Sequence, residues 1–306
     1  MFELWNTMPT LLIGELLILG FTITNLYHAY LHGYKYLQFW LFTITTGFIN
    51  DHLFMLMSLT NTFWHAEGSI MLTDRMPLYI LGVYNILLYP SIIVTNNIVI
   101  ASFISGMLYG VYDLIGNHFI WWTWHTTDTT VLNRWYGVPY SSTCWSIIHS
   151  YSFYLLYNLL TNKTFIYILS TPVMMLLMGI CSYPINNGIY HLHTLIITGV
   201  YLISIYILDY QNTIHLDNRK PVRYSKLLYG YILIYIITMV IIYIYGSPSN
   251  HYSYGIHQTF GPNNIYQNDI LGNKRQKYLS INDNYNSFTL VNIPRLYSNK
   301  YLIKGI

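Results

Sequence analysis

Long apolar runs that contain almost no charged residues constrain the fold of this chain more than any other feature of its sequence. Only 8% of the 306 residues are Asp, Glu, Lys or Arg, and 54% are hydrophobic. A soluble domain carries about 25% charged residues. Because so few charges leave too little polar surface for a protein in water, we expect an integral membrane protein.

A membrane-crossing helix needs about 20 mostly apolar residues. Residues 1–246 are therefore predicted to form an all-α polytopic bundle of about eight transmembrane helices. The predicted helices are 9–30, 37–59, 78–95, 98–124, 142–160, 164–181, 188–208 and 227–246. Residues 247–306 are rich in Asn, Tyr, Ser, Gly and Lys and lack a long apolar run, so they are predicted to be a polar extramembrane tail.

Two polar segments carry the candidate functional residues. Residues 112–139 contain the candidates Asp113, His118, Trp124, His125, Asp128 and Arg134. Residues 60–77 contain the candidates His65, Glu67 and Arg75. In a bundle of eight spans, the loops 60–77 and 125–141 lie on the same side of the membrane. We therefore expect the two segments to meet and to form a polar cluster or a lipid-binding site.

A metal site is one interpretation of this cluster. His125 and Asp128 would lie on one face of a helix as residues i and i+3, and His65 and Glu67 could complete the ligand set from the neighbouring loop. His118 lies seven residues from His125, about 10.5 Å along a helix, which is too far to share one ion. The spacing matches no H-E-x-x-H or C-x-x-C signature. A second interpretation is a structural lock between helices.

Ionisable residues inside a membrane cost roughly 2.5–3.5 kcal/mol each on insertion scales, so they normally pair with one another inside the bundle. Five residues of the predicted spans are of this kind: Glu15, Asp51, His52, Asp113 and His118. They are interpreted either as structural pairs or as a proton path or ligand site. Trp121, Trp122 and Trp124 are interpreted as an interfacial aromatic belt. The segment from Arg134 to Pro139 is interpreted as a turn that leads into the fifth helix.

The composition indicates an AT-rich genome. The chain has 33 tyrosines but only three alanines, Ala29, Ala66 and Ala101. Membrane helices normally accept Ala because small residues allow close packing, so its scarcity indicates mutational bias. The first Lys or Arg is Lys35, and we therefore expect neither an Arg-rich transit peptide nor a secretory signal. These features favour synthesis inside an organelle, and the net charge of +3 does not favour a nucleic-acid partner.

The two polar segments resemble an uncharacterised family of multi-spanning membrane proteins of ciliates and related protists. The resemblance covers about residues 45–160. It rests on Phe63-Trp64-His65 with Arg75-x-Pro77-Leu-Tyr79, on Trp121-Trp-Thr-Trp-His125-x-x-Asp128 and on Gly137-Val-Pro139. That family has no established activity. The composition separately resembles the membrane subunits encoded in ciliate mitochondrial genomes, which are typically subunits of respiratory-chain complexes or of ATP synthase.

These resemblances imply a multi-pass structural subunit of a respiratory-chain complex in the mitochondrial inner membrane. Cytochrome c oxidase is the first expectation, followed by complex I and ATP synthase. The expected partners are other subunits of that complex and membrane lipids. No cofactor is expected, and a bound phospholipid such as cardiolipin is compatible with the sequence. The alternatives are a metal- or cofactor-dependent membrane enzyme that uses the His/Asp cluster, and a lipid-binding scaffold.

Overall fold

The computed structural model describes the backbone of most of the chain. The described residues are 2–56, 63–73, 76–119, 121–124, 133–186, 192–208, 226–247, 252–255, 262–268, 274–278 and 301–304. This part of the chain is mostly helical, as the sequence predicts. Arg75, His125 and Asp128 lie outside these ranges, so the predictions that name them are not tested by the structure.

Nine α-helices occupy the described ranges. They are α1 Phe2–Thr7, α2 Pro9–His32, α3 Tyr34–Leu56, α4 Tyr79–Thr95, α5 Ile98–His118, α6 Tyr140–Leu159, α7 Ile166–Asn186, α8 Leu192–Leu208 and α9 Lys226–Tyr245. A short 3-10 helix, Lys163–Phe165, precedes α7. Helix α1 and the 3-10 helix are not among the predicted elements, because neither is long enough to produce an apolar run.

Two asparagines separate α4 from α5. Asn96 adopts the left-handed conformation (φ 59°) just after α4, a conformation that Asn tolerates better than most residues. The side chain of Asn97 accepts hydrogen bonds from the backbone N–H groups of Val99 and Ile100, both at 3.0 Å. This cap satisfies N–H groups at the start of α5 that have no partner within the helix. The predicted boundary between these helices is therefore confirmed.

Helix α5 ends at His118, six residues before its predicted end at residue 124. The backbone N–H of Trp121 bonds to the carbonyl of Gly116 at 2.7 Å, and Trp122–Trp124 is a β-strand. The prediction of one helix through residue 124 is therefore wrong. The helical spacing assumed between His118 and His125 does not apply.

Five helices form a closed ring. Helix α3 packs on α4, α4 on α5, α5 on α6, α6 on α7, and α7 returns to α3. Helix α2 packs on α3 and α4, α8 on α6 and α7, and α9 on α5 and α2. Aromatic side chains fill part of this core: the ring of Phe39 lies 5.9 Å from that of Tyr89, 5.6 Å from Phe153 and 4.8 Å from Tyr157.

In the described part of the chain, eight short strands form four antiparallel pairs. The strands are β1 Phe63–His65, β2 Trp122–Trp124, β3 Arg134–Trp135, β4 Val138–Pro139, β5 Tyr252–Gly255, β6 Pro262–Asn268, β7 Lys274–Tyr278 and β8 Tyr301–Lys304. The pairs are β1 with β2, β3 with β4, β5 with β8 and β6 with β7. The all-α prediction is corrected to this extent, and four of the strands lie in the segment predicted to be a polar tail.

Three helices in the described ranges are long and apolar enough to cross a membrane: α2, α5 and α9. Helix α4 and the apolar parts of α7 and α8 are shorter. The predicted number of about eight spans is not supported by length and composition. One physical reason is that α3 and α6 carry buried polar side chains in their apolar runs, among them Asn50, Asp51, Ser146, His149 and Ser150.

Candidate functional site

The two polar segments of the sequence meet through a pair of strands. Strands β1 and β2 run antiparallel, with Phe63 opposite Trp124 and His65 opposite Trp122. The pairing continues beyond the strands, since the N–H of Ala66 bonds to the carbonyl of Trp121 at 2.8 Å. The two polar segments therefore meet at these strands, although Trp122–Trp124 belongs to the predicted helix 98–124 and not to the predicted loop 125–141.

The three tryptophans of this region are buried. Trp121 is fully buried, and its Nε1 donates to the Thr10 hydroxyl of α2 at 3.1 Å. The ring of Trp122 lies 4.2 Å from that of Tyr112, and Trp124 is 6% exposed. An aromatic belt at a membrane surface requires rings that face the interface. The interpretation of these tryptophans as a belt is therefore wrong, and their rings pack inside the protein.

Arg134 begins a tight hairpin that leads into α6. Strands β3 and β4 pair Arg134 with Pro139, and the two turn residues, Tyr136 and Gly137, have φ values of 48° and 82°. Two consecutive positive φ values are typical of the two-residue turns that match strand twist. The guanidinium Nη2 of Arg134 donates to the carbonyl of Trp124 at 3.4 Å. The predicted turn before this helix is confirmed, and Arg134 ties it to β2.

Asp51 lies where the segment that contains β1 meets the ring of helices α3 to α7. Its carboxylate is buried near the C-terminal end of α3. Oδ1 accepts a hydrogen bond from the Tyr84 hydroxyl at 2.5 Å, and Oδ2 lies 3.5 Å from Nε2 of His65. The Tyr84 hydroxyl in turn accepts a bond from Nδ2 of Asn50 at 2.9 Å. His65 is thus the candidate from the polar loops that the structure places beside a buried carboxylate.

Asp113 occupies a separate position on α5. Its Oδ2 accepts a hydrogen bond from the hydroxyl of Ser142 on α6 at 2.6 Å. Its Oδ1 has no hydrogen-bond partner within the described ranges. The other candidate of α5, His118, packs its ring against Phe119 at 4.9 Å and against Tyr243 of α9 at 5.1 Å. None of these three contacts joins Asp113 or His118 to His65.

The loop that contains Glu67 is tied to α2. Glu67 itself is half-buried in the segment that follows β1. Oε1 of Glu15 accepts a hydrogen bond from the backbone N–H of Ser69 at 2.9 Å. A Cβ on Gly68 would lie 2.5 Å from the same oxygen, so a glycine is needed for this close approach. The carboxylate of Glu15 therefore bonds to the backbone of this loop.

Three aromatic residues beside Asp51 were not predicted as site residues. On α6, Trp145 and His149 stack with 5.3 Å between ring centroids. The ring of Tyr84 lies 6.0 Å from Trp145 and 5.6 Å from His149. The available signal was the spacing of Trp145 and His149 as i and i+4, which places them on one helix face. Nothing local in the sequence indicates that this face packs against Tyr84, the residue that bonds to Asp51.

Within the described ranges, no group of three or more His, Cys, Asp or Glu side chains is placed to hold a metal ion. His125 and Asp128 fall outside those ranges, so the metal site predicted there is not tested. Cys144 and Cys181 are both buried and free. Asp51 accepts a hydrogen bond from Tyr84 and lies within ion-pair distance of His65.

Comparison with known proteins identifies one family. A family model described as a domain of unknown function, DUF7802, matches residues 1–168, more than half of the 306 residues. The matched region contains α1 to α6. It also contains the residues named above around Asp51, which are Asn50, His65, Tyr84, Trp145 and His149. No curated protein and no solved structure matches the chain. The chain belongs to the DUF7802 family.

Proposed function

We propose that this protein is a mitochondrially encoded, multi-pass structural subunit of a respiratory-chain complex of the inner membrane. Cytochrome c oxidase is the first choice, followed by complex I and ATP synthase. The scarcity of Ala and the abundance of Tyr support an AT-rich organellar genome. The resemblance of residues 45–160 to ciliate membrane proteins agrees with this origin. In this proposal the shorter apolar helices also cross the membrane, and residues 247–306 dock on neighbouring subunits.

The observation that carries the proposal is that buried polar side chains join one helix to another. Asn25 Nδ2 donates to Asn85 Oδ1 at 3.0 Å and so joins α2 to α4. Asn85 Nδ2 donates to Thr43 Oγ1 at 2.7 Å and joins α4 to α3. The hydroxyls of Thr46 and Ser170 lie 2.7 Å apart between α3 and α7. Bonds of this kind fix the relative positions of membrane helices, which is the requirement of a structural subunit.

The outer surface of the bundle is apolar and is therefore suited to contact with partners of low polarity. Helices α2, α7, α8 and α9 expose large apolar side chains that include Leu16, Leu19, Ile23, Leu176, Ile196, Ile203, Ile207, Leu233, Ile241 and Ile244. Each Å² of apolar surface left in water costs about 25 cal/mol. A surface of this size is stable against lipid tails or against the apolar helices of other subunits.

The lipid-scaffold alternative has weaker support. A tryptophan clamp on a lipid head group needs exposed rings, and Trp124 is buried. Arg134 remains half-buried in the β3–β4 hairpin. In our proposal a phospholipid such as cardiolipin binds as a structural lipid of the assembly, with Arg134 as its cationic contact.

A membrane enzyme is the second candidate, and the Asp51–His65 pair favours it. Asp51 Oδ2 and His65 Nε2 lie 3.5 Å apart, close enough to form an ion pair when His65 is protonated. Carboxylate and imidazole groups are the usual general acids and bases of enzymes. In this alternative the reaction takes place at the C-terminal end of α3. His125 and Asp128 then supply ligands to a metal ion.

Native-gel separation of solubilised mitochondrial membranes tests the proposal. Mass spectrometry locates the chain, and metal analysis is made on the same band. We expect the chain to migrate with one respiratory complex in a fixed ratio to its subunits, with no metal beyond the complement of that complex. Migration of the chain alone, or with an additional stoichiometric metal, would contradict the structural role and favour the enzyme.

A further inference from the structure

Two lysines lie at the same end of the helix bundle. Lys163 belongs to the connection between α6 and α7, and its Nζ lies 4.8 Å from the centre of the Tyr157 ring. That ring packs edge-on against the ring of Phe39, also at 4.8 Å. Lys35 precedes Phe39 by about one helical turn on α3. The start of α3 therefore adjoins the end of α6, and Lys35 and Lys163 mark this end of the bundle.

Lys226 lies at this end as well. The Tyr235 hydroxyl of α9 donates to the Leu108 carbonyl of α5 at 3.0 Å. Farther along both helices, the rings of Tyr243 and His118 lie 5.1 Å apart, so α9 runs parallel to α5. Helix α5 itself packs antiparallel to α6, since its bonded residues advance as those of α6 recede. Lys226, the first residue of α9, is therefore beside the start of α5 and the end of α6. We call the end shared by these three lysines the lysine end.

Acidic side chains occupy the other half of the bundle. All five Asp and Glu residues in the described part of the chain lie there: Glu3, Glu15, Asp51, Glu67 and Asp113. The sequence repeats this asymmetry in the connections between helices and the first helical residues. At the lysine end these carry two acids, Asp209 and Asp217, and six bases, which are Lys35, Lys163, Arg219, Lys220, Arg223 and Lys226. The connections at the opposite end carry two bases, Arg75 and Arg134. The two ends of the bundle therefore differ in charge.

Helix energetics do not account for the lysines at two of these positions. Lys35 is the second residue of α3 and Lys226 is the first residue of α9, and both are exposed. The N-terminus of a helix carries a partial positive charge, so a cation is disfavoured there. No Asp or Glu in the described part of the chain lies at this end to offset it. An anion supplied by the surroundings would offset both charges. Tyr34 and Tyr229 are exposed beside these lysines, as aromatic residues at a membrane surface are.

The basic residues of the C-terminal segment do not oppose this asymmetry. Lys and Arg influence the orientation of a membrane protein when they lie in short loops or within about 15–20 residues of a membrane-crossing helix. The first such residue after α9 is Lys274, which lies 29 residues beyond Tyr245. The six bases at the lysine end lie in or next to short connections, of which the longest is 209–225.

We propose that the lysine end faces the compartment in which the chain is synthesised and that Lys35, Lys163 and Lys226 bind anionic phospholipid head groups of the adjacent leaflet. Short connections rich in Lys and Arg remain on the side of synthesis, and anionic lipids attract basic segments at the membrane surface. Lys163 donates to the carbonyls of Tyr157 and Leu160, which holds its ammonium group in place with one donor left for a phosphate. The proposal requires α2, α5 and α9 to cross the membrane and does not depend on membership of a respiratory complex.

Labelling of single cysteines in the full chain tests the orientation. The chain is produced in a bacterial inner membrane, with Cys144→Ser and Cys181→Ser to remove the native thiols. Tyr34→Cys marks the lysine end and Tyr245→Cys, at the last residue of α9, marks the opposite end, and both tyrosines are exposed. With a membrane-impermeant maleimide, we expect Tyr245→Cys to react in intact spheroplasts and Tyr34→Cys to react only after permeabilisation. Reaction of Tyr34→Cys in intact spheroplasts, or protection of Tyr245→Cys there, would overturn the proposed orientation.

Electron paramagnetic resonance of spin-labelled lipids, in phosphatidylcholine vesicles that contain the full chain, tests the head-group contact. We expect labelled phosphatidylglycerol to associate with the wild-type chain more strongly than labelled phosphatidylcholine. Lys35→Gln with Lys226→Gln should lower this ratio by about twofold or more, because each lysine near the surface adds to the attraction. Both side chains are exposed, so the variant keeps the fold. Lys35→Arg with Lys226→Arg keeps the charge and should keep the ratio. A ratio that the Gln variant leaves unchanged, or that the Arg variant lowers equally, would overturn the lipid contact.

Discussion

Removal of the Asn85 side chain is expected to loosen three helices together. Asn85 is fully buried on α4, and it bonds to Asn25 of α2 and to Thr43 of α3 at 3.0 and 2.7 Å. Interhelical hydrogen bonds in membrane proteins average about 0.6 kcal/mol each, with a maximum of about 1.7. Asn85→Ala breaks these two bonds and a longer one, at 3.5 Å, to the carbonyl of Trp40 on α3, so we expect a loss of about 1–3 kcal/mol in the free energy of unfolding.

The assay is reversible unfolding of the purified chain in mixed micelles, in which helicity is followed as the denaturing detergent fraction rises. Thr24→Val is the control, because Thr24 is partly exposed and its hydroxyl donates to the Gly20 carbonyl of its own helix. We expect this variant to unfold within about 0.5 kcal/mol of the wild type, the usual range for surface changes.

A double-mutant cycle separates the hydrogen bond from the cavity that each truncation leaves. Asn25→Ala and Asn85→Ala together should lose less stability than the sum of the single changes. The expected coupling is about 0.6 kcal/mol, the average for one interhelical bond. If Asn85→Ala costs no more than Thr24→Val, or if the coupling is zero, the idea that these buried polar groups join the helices is refuted.

Two further variants test packing and function. A Cβ on Gly47 would lie 2.3 Å from the ring of Tyr84, whereas one on Gly20 would meet nothing within 4 Å. In the same micelle assay, Gly47→Ala should therefore lower the free energy of unfolding by about 1–3 kcal/mol. Gly20→Ala is the control and should not lower it. Equal effects of the two substitutions would contradict the close contact between Gly47 and Tyr84. In the proposed structural role, His125→Ala leaves the turnover of the complex intact and loosens its assembly on native gels. Lost turnover in an intact assembly would instead favour the enzyme.

Most helix positions could be predicted from the sequence because they depend on local properties. Apolar length alone placed α2, α4, α6 and α9 with ends within two residues of those in the structure. The predicted break between α4 and α5 falls at Asn96 and Asn97, and asparagine favours helix ends. These signals lie within the segments that they describe, so no knowledge of the rest of the fold is needed to interpret them.

The strands of the loops could not be predicted in the same way. Strands β1 and β2 have three residues each and are separated by 56 residues. Three residues are too few for an alternation of apolar and polar side chains to be recognised. The pairing of these strands is determined by the helices that bring the loops together. The early end of α5 at His118 has the same origin, because Trp121 and Trp122 pack into the core and not along the helix.

The sequence by itself determined that this chain is apolar and mostly helical, with its polar side chains concentrated in two segments, because hydropathy and helix ends depend on neighbouring residues. The tertiary structure decided which polar groups meet. Asp51 and His65 belong to different elements, and Tyr84 and His149 come from two further helices. Only the closed ring of α3 to α7 brings them together, because a hydrogen bond depends on the distance in space between two groups and not on their separation along the chain.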